Sequence, residues 1–305
     1  MDEKDIVKTP PAAPEPVKNF MALEEEYLTY KKAKIVILSA PYDKTTTYIH
    51  GTKNGPSAII DASKYLELFD DELNQETFKV GIHTMPALEA EDLSSEEMVA
   101  KVREGFTDVT KAGKFPVLLG GEHSVSIGAV SALKDACPNL SVLQFDAHCD
   151  LRNEYFDSKL NHGCVGRRIS EICPLVQVGT RSMSREEKDF LAGQANGKVK
   201  NISVYDILER PMWKDEVVKY LSDNVYVTID LDVFDPSVMP AVGTPEPGGI
   251  GWYETLDLLK DLSKEKKIVG FDVVELCPIP GQVASDFFAA KLIYKLLGYV
   301  FPIKK

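Results

Sequence analysis

The sequence is poor in the features that hold small secreted scaffolds together or that mark the commoner enzyme classes. Its five cysteines, Cys137, Cys149, Cys164, Cys173 and Cys277, are an odd number with no CxxC pair. That excludes a zinc ribbon and predicts free thiols in a reducing compartment. No leader-like segment is read ahead of them, so a cytoplasmic protein is expected. Positive charge is the minority, 35 Lys and Arg against 47 Asp and Glu, for a net charge of −12. Without a broad basic field, nucleic acid and anionic membrane surfaces are not expected partners, and a small cationic substrate fits better. Long hydrophobic runs are missing too. The longest, from Ala284 to Phe301, is broken by Asp286, Lys291 and Lys295, which predicts a buried amphipathic helix and no membrane span. There is no GxSxG elbow and no GxxxxGK[ST] loop, and Gly249-Ile250-Gly251 lacks the third glycine of a dinucleotide fingerprint. Serine-hydrolase, NTPase and dehydrogenase chemistry lose their main support.

What is present is a chain of 305 residues, 44% apolar and 27% charged, enough to bury a full-sized core without staples. Residues 1–19 carry Pro10, Pro11, Pro14 and Pro16 among charges and are expected to form a tail. Residues 33–301 show no low-complexity linker or internal repeat, and residues 20–305 are expected to be a single catalytic domain. A helix is expected around Met21 to Lys31. Another should start at Asn54-Gly55-Pro56-Ser57 and carry Ile59, Ile60, Tyr65, Leu66 and Phe69 on its apolar face. Short apolar runs at Ile35–Leu38, Val117–Leu119, Leu140–Phe145, Leu175–Val178, Val225–Ile229 and Ile268–Val273 alternate with segments of helical character. This pattern predicts an α/β fold, a mostly parallel sheet covered by helices in three α/β/α layers.

Chemistry concentrates where these runs end. Only five histidines occur, and three of them, His123, His148 and His162, fall within forty residues beside glycines and aspartates. Gly120-Gly121-Glu122-His123 follows one apolar run, at the strand end where open α/β sheets place their ligand crevices. Asp146-Ala147-His148-Cys149-Asp150 follows a second; if the strand continues, period two puts its three polar residues on one face. Asp230-Leu231-Asp232 repeats the device after a third. Two imidazoles and four carboxylates so crowded would repel one another without a cation. The oxygen-dominated set suits two divalent ions, Mn²⁺ in preference to a thiolate zinc site, and such a pair can activate a water for attack.

These motifs, with Asn161-His162-Gly163, Asp230 to Pro236, Gly243 to Gly249 and Asp272-Val273-Val274-Glu275-Leu276, resemble the ureohydrolase family of arginases and agmatinases over roughly residues 33 to 300. The resemblance implies a dinuclear manganese hydrolase, two Mn²⁺ per subunit, that converts a guanidino group to urea and an amine. Matched residue by residue, Asp146 and Asp230 bridge the metals, His123 and Asp150 complete one, and His148 and Asp232 complete the other. His162 resembles the proton shuttle and Glu275 the carboxylate that pairs with the guanidinium. The segment Leu151 to Asn161 departs from the Asn- and Ser-rich arginase pattern, and its Asp-Leu-Arg start is similar to bacterial agmatinases. Agmatine is therefore the expected substrate and putrescine the expected product, with Asn153 and Asn161 as further substrate contacts. Guanidinobutyrate, guanidine and arginine remain alternatives, as does a non-catalytic protein of the same fold. Family members assemble as trimers or hexamers, so a homo-oligomer is expected. Cys149 and Cys164 are read as packing residues, and Asp235 as a loop cap.

Overall fold

The computed structural model describes residues 19–194 and 197–303. Apart from Asn19, the expected proline-rich tail lies outside the described residues. Eight strands form one sheet: β1 (Ile35–Ala40), β2 (Ile82–Thr84), β3 (Phe115–Gly120), β4 (Leu140–Phe145), β5 (Leu175–Thr180), β6 (Val199–Ser203), β7 (Asn224–Asp230) and β8 (Lys267–Val274). Their order is β2-β1-β3-β8-β7-β4-β5-β6, and every neighbouring pair is parallel. The helices are α1 (Glu25–Leu28), α2 (Gly55–Ser63), α3 (Ser95–Lys111), α4 (Ser126–Ala136), α5 (Val165–Ile172), α6 (Arg185–Ala192), α7 (Val204–Glu209), α8 (Trp213–Tyr220), α9 (Trp252–Glu265) and α10 (Ala284–Val300).

Period-two side-chain placement divides each central strand between two cores. Val117, Leu119, Val227, Ile229, Phe271 and Val273 pack with α2, α8, α9 and α10 on one face. Leu118, Val142, Tyr226 and Val274 pack with α3, α4 and α5 on the other. The three layers expected from the sequence are therefore present, and the strands read as continuous apolar runs because both faces are covered. Among the described residues, no helix is long and apolar enough to cross a membrane. The expected helix from Ala284 is α10, whose Lys295 lies buried with its ammonium 2.9 Å from Asp70.

Two helix expectations are corrected. Met21 to Lys31 yields a short 3-10 turn, Phe20–Ala22, and only one turn of helix in α1. Tertiary anchoring overrides propensity there: Phe20 N–H bonds Thr84 Oγ1 at 3.0 Å, Met21 N–H bonds Ser63 Oγ at 2.7 Å, and Met21 adopts φ 64°. Helix α2 starts at Gly55 as expected but ends at Ser63. Leu66 is buried outside it, while Tyr65 and Phe69 are exposed. The sheet order has one consequence for function. Strands β3, β8, β7 and β4 stand side by side, so the motifs that follow Gly120, Val274, Asp230 and Phe145 converge at one sheet edge despite their separation in sequence.

Candidate active site

Each motif begins where its strand stops. The condition that the strand continue through Asp146-Ala147-His148-Cys149-Asp150 is not met: β4 ends at Phe145, and Asp150 takes φ 50°. Likewise β7 ends at Asp230, and Asp232 lies in a 3-10 turn, Leu231–Val233. The residues still converge, by loop geometry in place of strand alternation. Close packing permits it. A Cβ on Gly121 would come 2.1 Å from the Tyr42 carbonyl oxygen, so only glycine lets this loop run against the neighbouring chain.

His123 is fully buried, and its Nδ1 lies 3.2 Å from Asp146 Oδ2, 3.3 Å from Asp230 Oδ2 and 3.4 Å from Asp150 Oδ2. None of these is a hydrogen bond, so Nδ1 is a buried polar atom without a partner. The other ring nitrogen is fixed by a buried chain. Thr228 Oγ1 donates to Asp272 Oδ1 at 2.6 Å and stands 2.8 Å from His123 Nε2; Tyr226 donates to Asp272 Oδ2 at 2.6 Å. With its own proton on the carboxylate, Thr228 accepts from Nε2–H, so Nδ1 is the atom that faces the three carboxylates, as N–H without a cation and as a lone pair toward one. A lone pair so aimed fits a metal ion, and the carboxylate beyond it is the usual brace of a ligating histidine.

The second cluster is more open. His148 Nδ1 lies 2.8 Å from Asp232 Oδ2 and 3.7 Å from Asp146 Oδ1. Its side chain is 26% exposed, against 1% for His123. Asp232 is held by backbone: Oδ1 accepts from Ala147 N–H at 2.9 Å. His123, Asp146 and Asp150 form one group able to hold a cation, and Asp146, His148 and Asp232 another, with Asp230 between them, 3.3 Å from His123 and bonded through Oδ1 to Asp232 N–H. Burial and carboxylate crowding push Asp150 up to about 7 and Asp230 well above the usual carboxylate range. Burial opposes charge on His123 and His148, but the surrounding carboxylates outweigh it and raise both. Such a donor set must be neutralised by protons or by cations, which is the signature of a metal centre.

A cavity of about 290 Å³ opens above these clusters, lined by Asp150, Asp230, His148, His162, Arg152 and Tyr155 among others. His162 Nδ1 is 3.9 Å from Glu275 Oε1, and its Nε2 is 3.3 Å from Thr47 Oγ1. Burial, then the neighbouring imidazoles, push His162 down to about 4, so it is neutral at physiological pH. Glu275 has φ 66°; its N–H bonds the Gly121 carbonyl and its Oε1 accepts from His123 N–H, each at 2.7 Å. Burial and the nearby Glu122 raise its pKa well above the usual range, a cost that an arriving cation would relieve.

The two asparagines expected to touch substrate have other partners here. Asn153 is exposed with Oδ1 bonded to Arg168 Nη2 at 3.1 Å, and Asn161 is a buried cap whose Oδ1 accepts from Gly163 N–H at 2.9 Å. Neither lines the cavity; Thr47, Met183 and Ser184 do. Glu187 also lines it, but both its oxygens are engaged, by Leu151 N–H and Ser184 N–H. Cys149 and Cys164 are buried packing residues, and Asp235 Oδ1 caps Ser237 N–H at 2.8 Å. Sequence reasoning missed the carboxylate of Glu122. It accepts from Thr45 N–H and Oγ1, both at 2.6 Å, and Thr45 Oγ1 in turn accepts from His162 N–H at 2.9 Å. Its place beside His123 in the Gly-Gly-Glu-His motif was the available signal.

Comparison with known proteins agrees with this geometry. The model of the arginase family matches residues 33–298. N(1)-aminopropylagmatine ureohydrolase of Synechocystis sp. is 39% identical over 289 residues, 91% of this chain and 92% of that protein. Agmatinase of Pyrococcus horikoshii is 36% identical over 273 residues, covering 88% and 92%. The crystal structure of agmatine ureohydrolase of Thermoplasma volcanium superposes with a TM-score of 0.84 at 32% identity, covering 93% of this chain and 94% of that one.

Proposed function

Since the chain belongs to the arginase family and is an agmatinase-like hydrolase of guanidino C–N bonds, we propose that it cleaves agmatine to putrescine and urea. The observation that carries the reading is the buried, partnerless Nδ1 of His123 aimed at three carboxylates beneath an open cavity. His123, Asp146 and Asp150 would hold one ion and Asp146, His148 and Asp232 the other, with Asp230 shared. The oxygen-rich donors favour Mn²⁺. Bound there, a pair of divalent ions supplies Lewis acidity and lowers the pKa of water.

The chain's own groups then divide the remaining work. Glu275 orients the planar guanidinium through charge-assisted hydrogen bonds. The oxygen of water bonds to the guanidinium carbon and the water gives up its protons, the bond from that carbon to the alkyl nitrogen breaks, and His162 takes up a proton released from the water and passes it to the leaving amine nitrogen, so that urea and the protonated amine are left. A neutral imidazole near a cavity wall suits that transfer. One catalytic domain over residues 20–305 is part of the same proposal, supported by the single sheet between Ile35 and Val274.

A second reading is favoured by the relatives: four of them, 35% to 39% identical, are N(1)-aminopropylagmatine ureohydrolases. An aminopropyl extension would leave through the open cavity mouth. Urea release from agmatine, N(1)-aminopropylagmatine, guanidinobutyrate, guanidine and arginine, measured side by side on the Mn²⁺-loaded protein, decides between them. Preference for agmatine supports the first reading, preference for the extended amine the second. Preference for a carboxylate-bearing guanidine contradicts both.

A further inference from the structure

Arg181 lies just beyond β5, outside every sequence motif, and directs its whole guanidinium at backbone carbonyls. Nη2 donates to Asp232 O at 2.8 Å, Glu246 O at 3.0 Å and Phe234 O at 3.3 Å. Nη1 donates to Gly179 O and Val233 O, each at 3.1 Å, and Nε to Pro247 O at 3.2 Å. Five N–H groups thus serve six acceptors, which requires a planar fork; a lysine ammonium cannot reproduce it. The main chain adds a further strap, because Arg181 N–H and Ser182 N–H both bond Ala147 O, at 2.8 and 3.0 Å. Ala147 sits between Asp146 and His148, and its own N–H holds Asp232 Oδ1.

The carbonyls so gathered belong to one half of the site. Asp232 lies past the end of β7, so the sheet ladder does not fix it. The carbonyls of residues 232, 233 and 234 are all held by Arg181, and His148 pairs with Ser182 through an isolated parallel bridge. On the other side His123 is braced by Thr228, and the Asp150 carbonyl accepts from Arg167 N–H at 2.9 Å; Arg181 bonds neither. We propose that Arg181 is a positioning residue for the Asp146–His148–Asp232 metal position and not for the His123–Asp146–Asp150 position. The inference rests on the two-metal reading.

The test titrates Mn²⁺ into metal-stripped wild-type, Arg181→Lys and Arg181→Met proteins, measuring ions bound per chain, the electron paramagnetic resonance signal and the melting temperature of the stripped protein. At concentrations that place two ions on the wild type, both variants should hold one, with the coupled two-ion signal replaced by that of an isolated ion. The second ion should need about 10–100-fold more Mn²⁺. Should Arg181→Met fail to fold, Arg181→Lys, which keeps the charge and the stem, carries the test. Two ions in Arg181→Lys at wild-type concentrations overturn the inference, as does equal weakening of both positions. A wild type that never takes up two ions contradicts the two-metal reading itself, and this inference with it.

Discussion

The two halves of the site are built differently although their candidate ligands are chemically alike. The His123 half sits against the sheet, its imidazole 1% exposed and tied through Thr228 to Asp272 and Tyr226, whose hydrogen bonds are made by side chains inside strands β7 and β8. The His148 half faces the cavity, 26% exposed, and its ligands hang from loops joined by backbone bonds and by Arg181. A strand-borne network is fixed by the same ladder that makes the fold. A loop-borne one needs its own clamp, and that clamp can lie far from any motif. The division is one of imidazoles more than of carboxylates, since Asp150 and Asp230 also line the cavity.

Removing the shared ligand erases the comparison. Asp146 belongs to both cation-binding groups, so Asp146→Ala should lose both ions and all urea release; a variant that stays active without metal contradicts the assignment. His162→Ala should leave both halves loaded and lower turnover by about 10²–10⁴-fold, the range of a general acid–base group. Unchanged turnover at full Mn²⁺ loading would remove His162 from the proton transfer. Thr228→Val sharpens the contrast from the closed side. It leaves His123 Nε2 without a partner, and the affinity of that half should fall by about 10–100-fold while the open half keeps its own; metal titration reads both. Cys149→Ser should have the smallest effect. Burying a hydroxyl in a packing site costs about 1–3 kcal/mol, seen as a lower denaturation midpoint, with two ions retained. Loss of an ion in that variant would make the thiol a ligand after all.

The same contrast explains what could be read from the sequence. Strands buried on both faces are continuous apolar runs, so β1, β3, β4, β5, β7 and β8 were legible. The edge strands β2 and β6 were not, being short and partly polar, with His83, Lys200 and Asn201 inside them, as befits edges. Helix α2 was extended too far because Tyr65 and Phe69 keep helical spacing yet stand exposed. At the site, the six proposed ligands were legible because titratable residues after apolar strands are a local pattern. The mechanism inferred for that convergence was wrong in one respect: alternation along a continuing strand was expected where loops and a 3-10 turn do the placing. Arg181 was illegible, since its backbone acceptors leave no mark in sequence; Glu122 stood in a visible motif, but its link through Thr45 to His162 joins residues far apart in the chain. Asn153 and Asn161, polar residues of the same segment, bond Arg168 and a turn amide.

The central claim is that two ions in two unequal halves together support guanidino hydrolysis. The most direct measurement follows urea release and bound Mn²⁺ on one preparation as metal is returned to the stripped protein. Two ions per chain are expected, with activity appearing as the second binds and disappearing on chelation. Full urea release with one ion or none would contradict it.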